Sequence, residues 1–148
     1  MNETETYKRL KNKPKDNEPL YAVIHHSGGT KADPLADTSH HTAKGMEAQH
    51  LSMGWEGLGY QYVIHYKDGE IWKGRPEHYH GAHVKEMGIN KKSIGICLAG
   101  NFDRTDPKPS EAQKKALAGL LSDIMSRYPA INPSRIVPHR YFLGNPPY

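Results

Sequence analysis

Apolar positions along this chain fall into short runs and one long periodic stretch, and their spacing predicts the elements. Residues 1–18 show almost no apolar periodicity and predict a flexible polar N-terminal arm. Leu20 to Ile24 is a continuous apolar run closed by His25 and His26, which reads as a buried strand over 20–26. Residues 28–37 are rich in Gly, Thr, Asp and Pro and read as loop, while Thr38 to Leu51 reads as a helix weakened by Gly45. Two β-branched and aromatic runs, Tyr60 to Tyr66 and Glu70 to Lys73, flank Lys67-Asp68-Gly69. Asp-Gly between such runs predicts a hairpin, because those residues tolerate the positive φ its turn requires. Residues 74–90, rich in Gly and His, read as an ordered functional loop. Ser93 to Ala99 reads as a central strand. Ser110 and Gln113 form a capping box, followed by apolar residues at helical spacing from Ala116 to Tyr128, and Pro129 stops that helix. A strand around Arg135–Val137 precedes His139. The expected fold class is α/β: a single domain over 19–148 with a mixed central β-sheet flanked by α-helices. No internal repeat or second domain is visible.

Composition narrows the function classes. With 148 residues the chain is long enough for one domain that buries roughly 68–70% of its unfolded surface. Cys97 is the only cysteine, so no disulfide scaffold exists. No apolar run reaches the length of a membrane span, and the first twenty residues lack the apolar core of a signal peptide. These features predict synthesis in the cytoplasm without a signal peptide, and no membrane insertion. The net charge of +4 is modest. Its clearest cluster, Lys8 to Lys15, is flanked by Glu3, Glu5, Asp16 and Glu18 and has only Tyr7 as an aromatic nearby, so no nucleic acid is expected as a partner.

The candidate chemistry lies in histidines at strand ends. His25 and His139 each follow a short apolar run, and a strand that delivers an imidazole as it leaves a sheet is a rigid mount for a metal. Adjacent strand residues point to opposite faces, so only one of His25 and His26 can serve one metal. Pattern alone leaves those two tied. His65 and His78 read as structural, and His40 and His41 fall in the weak helix without an assigned role.

The order of several short motifs then carries a resemblance. Val23-Ile24-His25-His26-Ser27 is followed by Gly54-Trp55 and Gly59-Tyr60-Gln61-Tyr62-Val63-Ile64. Asp68-Gly69, Gly74-Arg75 and Gly81-Ala82-His83 come next, then Ser93 to Phe102 and Pro138-His139-Arg140. This succession resembles the zinc-dependent N-acetylmuramoyl-L-alanine amidases, the superfamily that holds phage lysozyme-type amidases and peptidoglycan recognition proteins. The resemblance implies that His25 and His139 bind Zn2+ and that Tyr60 assists catalysis from beside it. It places His83 in the substrate groove. It leaves Trp55 as groove wall or core aromatic, with core preferred. Cys97 falls where some members carry a catalytic Glu and phage-type members carry Cys, and it reads as a small buried residue. The family's third ligand, a Cys or sometimes an Asp or His, is expected eight to ten residues after the second His. Arg140 to Tyr148 contains none, so a domain truncated before its last ligand is expected.

The implied function is zinc-dependent hydrolysis of the amide between N-acetylmuramic acid and L-alanine, with peptidoglycan or a muropeptide as substrate. The implied setting is a monomeric phage or prophage endolysin acting on the bacterial cell wall, with wall recycling as a weaker alternative. The rival from another class is a non-catalytic peptidoglycan-binding module of the same fold. A glycosidase is disfavoured, because no pair of carboxylates stands in a recognisable frame.

Overall fold

The computed structural model describes residues 1–103 and 108–143. Its centre is a six-stranded sheet in the order β1-β4-β3-β5-β2-β6. The strands are β1 (Asn2–Glu3), β2 (Tyr21–His26), β3 (Tyr62–Ile64), β4 (Ile71–Lys73), β5 (Ser93–Leu98) and β6 (Ile136–Pro138). Only the β3–β4 hairpin pairs antiparallel, turning at Gly69 with φ of +68°; the other neighbours are parallel. The helices are α1 (Glu5–Leu10), α2 (Ala43–Ser52) and α3 (Glu111–Arg127). The mixed sheet flanked by helices in one domain is the α/β architecture read from the pattern.

The long helix α3 forms where the sequence predicts it. Ser110 Oγ accepts from the Gln113 amide, and the Gln113 side chain accepts from the Ser110 amide. Gln113 also donates to Ile64 O and Ala99 O, which pins the helix start to the ends of β3 and β5. Leu120 and Ile124, with Ile131 just beyond the helix, then cover Ala22, Tyr62, Ile64, Ile94, Ile96 and Leu98 on one face of the sheet. The opposite face is divided: α2 packs Ala43 and Met46 on Leu58, Val63 and Cys97, while Val84, Ile89 and Phe142 pack on Val23 and Val137.

Two expectations need correction. The helix predicted from Thr38 starts later, at Ala43, with Thr42 as its cap accepting from Gly45 N at 3.0 Å. Thr38 instead turns its hydroxyl to Gly28 O at 2.6 Å, closing the loop after β2. The expected flexible arm is also packed structure. Asn2 and Glu3 pair with Trp72 and Lys73, Thr4 caps α1, and Thr4, Thr6, Leu10 and Asn17 are buried. Asn17 donates to Glu77 O and Ser93 O. Most of these buried groups are polar and held by hydrogen bonds, so they leave no apolar periodicity to read.

Candidate metal centre and cleft

The strand register builds the site. His25 lies opposite Cys97 across the β2–β5 pair, Val23 opposite Gly95 and Tyr21 opposite Ser93. These residues share one face. On β5 that face carries Ser93, Gly95 and Cys97, whereas Ile94, Ile96 and Leu98 fill the other. Small residues leave a slot, and His83 occupies it. A Cβ on Gly95 would stand 2.6 Å from the His83 ring, and one on Gly81 would stand 2.4 Å from it. The glycines are there because the imidazole needs their space.

His139, the first residue after β6, brings its ring to a centroid distance of 4.8 Å from His25. Tyr60 reaches the same cluster from the loop before β3, with ring centroids 5.2 Å from His25 and 6.4 Å from His83. The structure thus brings His25, His139, Tyr60 and His83 together near the carboxyl ends of β2 and β6, the usual place for ligands in an open α/β sheet. His26 takes the other face. Its ring stacks on Phe102, and Nδ1 accepts from Phe102 N at 3.1 Å, although both histidines border the same cavity of about 600 Å³.

Hydrogen bonds assign protons within the cluster. The Ser93 hydroxyl donates to Ile89 O at 2.6 Å, so its oxygen accepts from His83 Nε2–H at 3.2 Å. His83 Nδ1 is then an acceptor, and His25 Nε2–H donates to it at 2.8 Å. The lone pair left on His25 is at Nδ1. Burial, then the charge of His83, would hold the His25 imidazole down to about 2. Burial, then His139, lowers His83 to about 3. Both rings are therefore neutral at pH 7, the form a metal requires.

Tyr60 is held far above its ordinary value by the negative charge that Cys97 would carry as a thiolate, then by burial and a hydrogen bond to that sulfur. Burial pushes Cys97 itself up to about 12. Tyr60 thus stays protonated and is a hydrogen-bond donor rather than a base. Cys97 stays a thiol, which makes it a poor metal ligand despite its place beside His25.

Three further placements bear on the sequence reading. His83 is buried with both ring nitrogens engaged, so it stands behind His25 rather than lining an open groove. Trp55 is not core: it is 38% exposed and packs at 4.4 Å on His50. His50 was not singled out in the sequence, yet its Nδ1 accepts from Gly59 N at 3.0 Å and its ring lies 5.9 Å from Tyr60. Nothing in local pattern marks it. The Ser-Gly-Cys alternation on β5 was a legible signal for the His83 slot.

The donors present suit zinc as far as they go, being two neutral imidazoles on rigid mounts. Among the described residues no group of three His, Cys, Asp or Glu side chains could hold a metal. The expected third ligand falls at or beyond the end of residues 144–148, outside the described residues.

The mixed six-stranded sheet flanked by helices is the α/β architecture of the amidase and peptidoglycan-recognition fold. The chain belongs to the N-acetylmuramoyl-L-alanine amidase family, whose pattern matches residues 15–146. It is similar to peptidoglycan-recognition protein SC2 of Drosophila simulans, 37% identical over 125 residues. That match covers 81% of this chain but only 62% of the relative's length. The endolysin of Escherichia phage T7 is 31% identical over 117 residues, covering 77% of this chain and 72% of the endolysin. Among solved structures, the endolysin N-acetylmuramoyl-L-alanine amidase LysCS from Clostridium intestinale URNW superposes with a TM-score of 0.71 at 25% identity. That superposition covers 97% of this chain and 83% of LysCS.

Proposed function

We propose that this chain hydrolyses the amide joining the lactyl group of N-acetylmuramic acid to L-alanine in peptidoglycan, with zinc held by His25, His139 and a third donor. The observation that carries this reading is the convergence of His25, His139 and Tyr60 at one end of the sheet, in a chain of this family. Held by His25, His139 and a third donor, zinc would act as a Lewis acid for the scissile carbonyl and for the attacking water. The protein's own groups do the rest. His83, backed by Ser93, fixes the ring plane of His25 and leaves Nδ1 for the metal. The protonated Tyr60 hydroxyl donates to the oxyanion as the carbonyl becomes tetrahedral; one such donor is worth roughly 10²–10³ in rate. Trp55 and His50 offer an aromatic wall beside Tyr60 on which substrate can pack.

The phage relative supports an endolysin role at the bacterial cell wall. Protein incubated with peptidoglycan is expected to release peptides with free L-alanyl amino termini. Chelation should stop that release, and added zinc should restore it. A second reading, a non-catalytic peptidoglycan-binding module, draws on the two-imidazole donor set among the described residues. Retention of the protein on peptidoglycan with no peptide released, with or without zinc, would establish that module and remove the amidase.

A further inference from the structure

We propose that Thr6 is a positioning residue for Tyr60, and that the N-terminal segment is a clamp holding the backbone that delivers Tyr60 to the cleft. The inference rests on the amidase reading for its kinetic consequence, but its geometry is independent of any metal. Thr6 is fully buried, and both its amide and its hydroxyl donate to one oxygen of Glu47 on α2, the amide at 2.8 Å. The same hydroxyl oxygen accepts from Leu58 N at 3.0 Å. Arg9, one turn on, donates to Glu56 O at 2.8 Å. Gly57 sits between these two contacts with φ of +144°, and a Cβ there would lie 2.3 Å from Thr6 Oγ1. The backbone at 57 is thus pressed against Thr6 as closely as a glycine allows.

The clamped backbone leads directly into the site. Gly59 N donates to His50 Nδ1, and Tyr60 is the next residue. Helix α2 therefore grips this backbone twice, directly through His50 and indirectly through Glu47 and Thr6. Those two helix residues are three apart and share a face. Among the described residues, Thr6 is the one side chain bonded to both Glu47 and the Leu58 amide, and its burial leaves no room for water to replace it. It also lies before residue 15, where the family match begins.

The test compares Thr6→Val, which keeps the shape and removes the hydroxyl, with Thr6→Ser, which keeps the hydroxyl. On a soluble muropeptide, Thr6→Val is expected to lower kcat about tenfold with KM within about twofold, because Tyr60 acts in the transition state. Thr6→Ser should stay within about twofold of the parent in both parameters. Hydrogen exchange at the Leu58 and Gly59 amides should quicken in Thr6→Val and not in Thr6→Ser. Equal kcat losses in both variants, or unchanged exchange in Thr6→Val, would overturn the clamp and leave Thr6 as packing. Should the parent release no peptide, the amidase reading fails, and amide exchange alone then decides for or against the clamp. Should Thr6→Val not fold, Glu47→Gln replaces it: faster exchange at Leu58 supports the clamp and unchanged exchange overturns it.

Discussion

The two faces of the sheet are built by the same strands to opposite rules. On the α3 face, β2, β3 and β5 present Ala22, Tyr62, Ile64, Ile94, Ile96 and Leu98 to one long helix. On the other face they present Val23, His25, Val63, Ser93, Gly95 and Cys97 to α2, short helical turns and loops. A single helix can cover a face of large apolar side chains without gaps. A face shared among several small pieces leaves slots, and here imidazoles and a phenol fill them. Stability and chemistry are therefore separable by face, and substitutions should sort accordingly.

The largest expected effect is on the site face. His25→Ala removes a proposed metal ligand and should lower peptide release by at least about 10³-fold, with the circular dichroism spectrum retained. Loss of the fold instead would show that the imidazole cluster is structural. Ile96→Ala, one residue from Cys97 but on the α3 face, should cost about 2–5 kcal/mol of stability in chemical denaturation. Its kcat per folded molecule should stay near that of the parent, and a kcat loss like that of His25→Ala would end the separation by face.

Gly95→Ala sharpens the contrast, since it adds one methyl to the site face. Its Cβ would stand 2.6 Å from the His83 ring, so the ring must move and release His25. Overpacking of this kind costs about 1–3 kcal/mol, and zinc affinity measured by calorimetry should fall with it. Unchanged zinc affinity would show that His83 does not hold His25.

The effect that is absent at neutral pH and appears only on alkaline titration is a pH dependence owed to Cys97. Burial raises its thiol from 9.0 to about 12 in the folded state. Above pH 9 the unfolded chain gives up this proton while the folded chain keeps it, so the unfolded state binds fewer protons and stability falls as pH rises. The contribution is whole below about pH 9 and is lost towards pH 12, at up to about 1.4 kcal/mol per pH unit. Denaturation of the parent against Cys97→Ala between those limits reads it as a difference. Parallel curves would mean that the thiol is not buried.

Much of this molecule was legible before the fold was known. Apolar spacing and a capping box mark α3, Asp68-Gly69 marks the hairpin, and short apolar runs place His25 and His139 at strand ends. These are local rules, written in neighbours a few residues apart. Local pattern left His25 and His26 tied. In three dimensions the register with Cys97 puts His25 beside His139, and Phe102 takes His26. The clasp of Thr38 on Gly28, the bond of His50 to Gly59 and the clamp of Thr6 on Glu47 and Leu58 were equally invisible. The sequence by itself determined the elements whose burial is periodic, α3 and the apolar strands, because periodic burial leaves a periodic signature, whereas β1 and α1, held by polar groups, left none. The tertiary structure alone decided which polar groups meet. A hydrogen bond between residues tens of positions apart has no period, and its partners are known only once the chain has closed the distance between them.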